Sequence, residues 1–109
     1  MFRPDHPALA ELSTPCLVVD GAALQRNIDK MAALARSAGV KLRPHAKTHK
    51  SPDIARRQVA AGATGIACAT IAEAEMLATA RIRGLMLTAP VMSTSMPVGA
   101  VPDARIADH

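Results

Sequence analysis

The chain is nearly devoid of aromatic side chains: Phe2 stands alone, with no Trp and no Tyr in 109 residues. A protein that reads nucleic acid by stacking bases on rings has nothing here to stack with, so nucleic acid is not an expected partner. Long hydrophobic runs are missing too. None approaches the roughly 20 residues of a membrane span, and no membrane partner is expected. The opening MFRPDHPALAEL has no apolar stretch of the signal-peptide kind. Cysteine is scarce. Cys16 and Cys68 lie far apart in apolar segments, and neither has a second Cys or a His at zinc-ligand spacing. Two buried free thiols in a reducing compartment are the expectation, with the cytoplasm as the default location.

What is present is aliphatic. Half of the residues are hydrophobic, which argues for a globular chain rather than a disordered one. The length has room for one domain. The net charge of +4 is modest; it suits a small anionic ligand and does not demand a polyanion.

Four apolar stretches read as strands: Cys16–Asp20, Val40–Lys47, Gly65–Thr70 and Gly84–Ala89. Helical patterns separate them. The first runs from about Ala22 to Ser37, with Leu24, Ile28, Met31 and Ala35 on one face and Gln25, Arg26, Asp29 and Arg36 on the other. Asp20 is placed to cap its start and Gly39 to close its end. The second starts at Ser51-Pro52-Asp53, an N-cap followed by proline and an acid in the first turn, and stops at Gly62. The third starts with Thr70 and Glu73 at capping-box spacing and runs to about Ala80. Strand and helix alternating at this period predict an α/β fold of parallel strands with right-handed crossovers. The expected fold is a partial β/α barrel of about four parallel strands with three intervening helices, since a complete barrel needs on the order of 250 residues. The organisation expected is a barrel segment over residues 1–91 and an irregular tail over 92–109, where Ser, Thr, Pro and Gly replace any helical period.

The densest chemistry is RPHAKTHKSP. Arg43, His45, Lys47, His49 and Lys50 fall within eight positions. In the strand Val40–Lys47 a period of two sends Lys41, Arg43, His45 and Lys47 to one side and Val40, Leu42 and Ala46 to the other. A parallel strand buried on both faces is ordinarily apolar on both, so one cationic face is informative. Lys47 ends the strand just before a helix start, where α/β folds bind their ligands. Crowding by other cations favours the uncharged amine, the form a Schiff-base lysine requires. A solvated basic loop is the alternative. A metal shared by His45 and His49 is disfavoured, because the strand end and Pro52 keep them off a common helix.

STPCLVVDGAALQRNIDKMA, GVKLRPHAKTHKSPDIARRQVAAGATGIACATIAEAEML and LMLTAPV resemble the N-terminal barrel segment of the D-threonine aldolase and D-serine dehydratase family, pyridoxal-phosphate enzymes of the alanine-racemase-like fold. The resemblance spans about Leu12 to Val91. It implies that Lys47, the lysine of the PH-KTHK motif, carries pyridoxal 5'-phosphate, with His45 and Arg43 on the same strand and Thr70 at the end of the next strand beside the cofactor. It implies a small-molecule substrate, a β-hydroxy D-amino acid, with the cofactor ring as electron sink. An aldolase breaks Cα–Cβ after the β-hydroxyl is deprotonated, giving glycine and an aldehyde. In a dehydratase Lys47 takes the α-proton and the β-hydroxyl leaves. A divalent metal on the substrate hydroxyl is expected of full-length members, and its ligands are absent from this chain, so no residue here is expected to bind metal.

Family members are several times longer and tend to associate, so a homo-oligomer is expected of a full-length protein. The tail after Val91 does not resemble the family's next helix, which suggests a truncated or frameshifted product with little activity alone. The strand at Leu85–Ala89 is then expected to have an open edge, and the chain to be marginally stable and prone to associate. Three readings follow: an enzyme segment of aldolase or dehydratase type, a non-catalytic pyridoxal-phosphate-binding module, or a basic domain for polyanions, the last disfavoured by the missing aromatics.

Overall fold

The computed structural model describes residues 4–89 and, as backbone, residues 104–106. A short 3-10 helix, Pro7–Glu11, comes first. Then follow α1 (Gly21–Ala38), α2 (Pro52–Ala60), β1 (Ile66–Cys68), α3 (Ile71–Thr79), β2 (Leu85–Leu87) and β3 (Ala104–Ile106).

The three helices form where the sequence punctuates them. Asp20 caps α1, its carboxylate accepting from the Ala23 N–H at 3.0 Å. That bond is the main reason the Asp20 carboxyl is held below its usual range. Gly39 ends the helix in the left-handed region, φ 69°. Ser51 caps α2, with Pro52 in the first turn, and Thr70 caps α3. Of the face expected to bury α1, Ile28 and Ala35 are buried with Ala32, while Met31 is exposed.

The sheet is parallel, in the order β1-β2-β3. Ile66 pairs with Leu85 and Cys68 with Leu87, and Leu85 in turn with Ala104. All three residues of β1 are buried, as a parallel strand covered on both faces requires. The core joins Ile66, Cys68, Leu85 and Leu87 of the sheet to Ala74 and Leu77 of α3, Ala55 of α2 and Ala46. Ala46, Ala55 and Ala74 have no exposed surface. Such small side chains let helix and sheet backbones approach where no aromatic ring is available to fill the space.

Each of the four expected strands needs correction, and so does the tail. Gly65–Thr70 and Gly84–Ala89 contract to the three-residue strands β1 and β2. Val40–Lys47 runs alongside β1 but forms only one bridge, His45 with Ala67. Ala46 N–H donates to Ala67 O and Ala67 N–H to Pro44 O; Pro44 has no N–H for the next rung, and the segment is next held by the Thr64 N–H donating to Leu42 O at 2.8 Å, ahead of β1. Cys16–Asp20 is not a strand. Leu17 is fully exposed and Val19 59% exposed; an apolar run becomes a strand only beside a partner that takes its backbone hydrogen bonds. Finally, β3 lies inside the segment expected to be irregular and pairs with the edge of β2 expected to be open. The rest of that tail lies outside the described residues.

The cysteines also divide. Cys68 is buried and Cys16 exposed, so only one matches the expected buried pair. Burial, with Glu73 as a second cause, pushes the Cys68 thiol up to about 11, which leaves it an unreactive core side chain. Among the described residues no helix is long and apolar enough to cross a membrane.

Candidate functional site

Lys47 follows the bridge residue His45 by two positions, past the C-terminal end of β1. Residues 47–49 form a turn, closed by the Lys50 N–H donating to Ala46 O at 2.8 Å. Lys50 closes it with φ 48°, a left-handed conformation that costs a lysine roughly 1–2 kcal/mol. Such strain persists only where neighbours fix the backbone on both sides.

Two imidazoles do that fixing. His45 Nδ1 accepts from the Lys47 N–H at 3.2 Å, at the entry to the turn. His49 Nδ1 accepts from the Ser51 N–H at 2.9 Å, at its exit. Each ring then engages a side chain with its other nitrogen: His45 Nε2 lies 3.1 Å from Thr88 Oγ1, and His49 Nε2 lies 3.3 Å from Gln58 Oε1 on α2. An amide oxygen only accepts, so His49 is the Nε2–H tautomer. Burial lowers its pKa, against a smaller upward effect of the Gln58 contact. The Lys47 side chain is exposed.

The four residues predicted for the site separate into two groups. Lys47, His45 and Thr70 gather at the C-terminal ends of the strands. Arg43 does not join them. Its guanidinium donates to the carbonyl of Gly84, just ahead of β2, at the opposite end of the sheet. Thr70 is at the right end, but its hydroxyl is committed to α3: it accepts from the Glu73 N–H at 3.1 Å and donates to the Glu73 carboxylate at 3.1 Å. The buried Glu73 also accepts from the Ala69 N–H. Of the cations expected to crowd Lys47, Arg43 is tied to the Gly84 carbonyl and His49 faces Gln58, while His45 stays beside Lys47 through its backbone N–H.

Thr88 and Gln58 did not emerge from the sequence. A signal for Thr88 exists: like Thr70, it directly follows an apolar strand run, so both threonines fall at the end of the sheet where α/β sites form. Gln58 has none, because its contact depends on how α2 packs.

Clefts on the described surface include one of about 550 Å³ between Arg56, Val59, Ala80 and Arg83 and another of about 320 Å³ between Leu24, Met31, Leu42 and Pro44. Neither is lined by Lys47. Among the described residues no group of three or more His, Cys, Asp or Glu is placed to hold a metal ion. For pyridoxal phosphate, the donor set at Lys47 fits the covalent attachment: an exposed primary amine on an immobilised turn beside a fixed imidazole.

Residues 19–106 match the model of the alanine racemase N-terminal domain. The chain belongs to that family. The family match continues past Val91, where the motif resemblance ends, as far as residue 106. This alanine racemase N-terminal domain chain is 43% identical over 90 residues to a D-threonine aldolase of an Arthrobacter species, covering 83% of this chain and 24% of that enzyme. It is 49% identical over 67 residues to a D-threo-3-hydroxyaspartate dehydratase of Delftia sp. (strain HT23), covering 62% of this chain and 18% of the dehydratase. Among solved structures, a D-threonine aldolase from Filomicrobium marinum superposes with a TM-score of 0.74 at 45% identity, over 78% of this chain and 23% of the other. The fold is thus that of the alanine racemase N-terminal domain, an α/β barrel family. The chain spans about a quarter or less of the length of these relatives.

Proposed function

We propose that the chain is the lysine-bearing segment of a pyridoxal-phosphate-dependent lyase that acts on β-hydroxy D-amino acids, of the D-threonine aldolase type. The observation that carries the reading is the turn after His45: it holds Lys47 at the C-terminal end of the parallel sheet, fixed at both ends by an imidazole. When bound, pyridoxal phosphate supplies an electron sink for the substrate carbon. The protein supplies orientation. Lys47 offers its amine for covalent attachment, and its backbone is held so that the amine leaves the turn in one direction. His45 stands beside it and fixes the amide of Lys47. Thr70 and Arg43 serve the reading from the frame, Thr70 by starting α3 at the mouth and Arg43 by tying the segment before His45 to the start of β2. The substrate contacts, the ligands of any divalent metal and the oligomeric contacts belong to parts of a full-length enzyme that this chain does not span, so little activity is expected of the chain alone.

A dehydratase is the second reading, favoured by the 49% identity to the Delftia dehydratase. A module that holds the cofactor without turnover is the third. One experiment sorts them. The purified chain is mixed with pyridoxal phosphate and scanned for a visible absorption band, with Lys47→Ala as control. A band that needs Lys47 supports the anchor role, and its loss on adding a β-hydroxy D-amino acid supports a lyase. Glycine plus aldehyde marks the aldolase, a keto acid plus ammonia the dehydratase. No Lys47-dependent band removes all three readings for this chain.

A further inference from the structure

We propose that Thr88 is a positioning residue for Lys47, acting through His45. The assignment follows from counting protons along one chain of contacts. The Thr88 hydroxyl has a single proton. It is donated to the Cys68 carbonyl at 3.2 Å. Toward His45 Nε2, 3.1 Å away, the same oxygen can then only accept, so Nε2 carries the ring proton. The neutral ring has one proton, which leaves Nδ1 bare to accept the Lys47 N–H at 3.2 Å. Were Thr88 to donate to His45 instead, the proton would sit on Nδ1 and face the Lys47 N–H, donor against donor. The Cys68 carbonyl thus sets the direction of the hydroxyl, the hydroxyl sets the tautomer, and the tautomer holds the turn.

The chain of contacts is anchored in rigid parts. Cys68 is fully buried on β1, and its carbonyl also accepts from the Thr88 N–H at 2.9 Å. Thr88 directly follows β2. The turn bearing Lys47 is therefore referenced to two strands: to β1 by its own bridge at His45 and Ala67, and to β2 by the ring of His45. Removing the hydroxyl releases the ring from β2 and removes the group that selects its tautomer. The side chain of Lys47 is untouched by the change. The consequence for cofactor attachment rests on the proposed function; the tautomer and the turn do not.

The test uses the full chain labelled with 15N. Imidazole correlations report the His45 tautomer, and hydrogen exchange reports protection of the Lys47 amide. The expected wild-type result is the Nε2–H tautomer with a protected amide. In Thr88→Val the Nε2–H fraction falls and the Lys47 amide exchanges about tenfold faster, the loss one neutral hydrogen bond allows. Thr88→Ser restores both. With pyridoxal phosphate added, the rate at which the Lys47-dependent band appears falls by a similar factor in Thr88→Val and returns in Thr88→Ser. An Nδ1–H tautomer in the wild-type chain overturns the proposal without any variant. So does a folded Thr88→Val chain with wild-type tautomer, amide exchange and capture rate, or a folded Thr88→Ser chain that restores none of them. A wild-type chain that shows the expected tautomer and protection but no band leaves the positioning intact and removes the proposed function instead.

Discussion

Gly65→Ala attacks a close approach of two backbones. Gly65 and Gly84 directly precede β1 and β2, and the Ile66 N–H donates to Gly84 O at 3.2 Å. A methyl group at Gly65 would stand 2.7 Å from Nη1 of Arg43, and closer still to the carbonyl oxygen of Gly84. Carbon and oxygen ordinarily meet no nearer than about 3.3 Å. Arg43 is long and can withdraw; the Gly84 carbonyl is backbone. Gly84 has little room to yield, since it already sits at φ 70° with Thr64 O 2.6 Å from where a Cβ on Gly84 would stand. The start of β1 and the start of β2 must therefore part.

Parting them breaks two hydrogen bonds to one carbonyl, from Ile66 and from Arg43. Each is worth roughly 0.5–1.5 kcal/mol, on top of the 1–3 kcal/mol typical of overpacking. We expect Gly65→Ala to lose about 3 kcal/mol or more. Gly39→Ala is the matched control: Gly39 has a similar positive φ of 69° but nothing within 4 Å of the added carbon, so it pays only the left-handed backbone cost, roughly 1–2 kcal/mol. Urea unfolding followed by far-UV circular dichroism ranks the two. A Gly65→Ala chain as stable as Gly39→Ala would refute the reasoning.

Three other outcomes are expected. Burial holds the His49 pKa below 6.5 in the folded chain, so the unfolded state binds that proton more tightly; the resulting stability is complete above about pH 6.5 and is lost as pH falls through the lowered value. His49→Asn keeps an acceptor for Ser51 but cannot titrate, and the pH profile of its unfolding free energy should flatten in that window; a profile parallel to wild type contradicts this. Leu77→Ala removes a fully buried side chain of α3 and should cost about 2–5 kcal/mol in urea titrations, a cost below 1 kcal/mol counting against the core described. Leu17, Val19, Leu34 and Val40 are each more than half exposed, so light scattering should show mass rising with concentration; a monodisperse monomer with a sharp, reversible thermal transition would rule that out.

The helices were legible because each is announced by local chemistry. Asp20 and Gly39, Ser51-Pro52 and the Thr70–Glu73 pair act within four residues of themselves, and local signals survive whatever the rest of the chain does. Strands depend on partners. β1 and β2 are legible because they pair with each other, whereas Cys16–Asp20 has the composition of a strand but is not paired as one. Pro44 could be read from the sequence, but its effect could not: its missing N–H matters only once β1 lies alongside.

The site shows a second limit. Alternation groups residues by parity, and parity fixes the side of a strand but not the height along it. Arg43 lies four residues before Lys47, roughly 13 Å along an extended chain, so sharing a side does not bring the two together. Its guanidinium reaches the start of β2, while Lys47 stands beyond the end of β1. The basic stretch that reads as one patch of charge is thus resolved by hydrogen bonding into separate duties. Arg43 ties strand starts, His45 and His49 pin the ends of a turn, and Lys50 closes it at positive φ. The lysine amine is the group left over, and its position depends on side chains outside the motif, Thr88 and Gln58. Sequence identity within RPHAKTHK is therefore not enough to keep the turn: a relative with the motif intact but no hydroxyl at position 88 has lost the contact that orients His45.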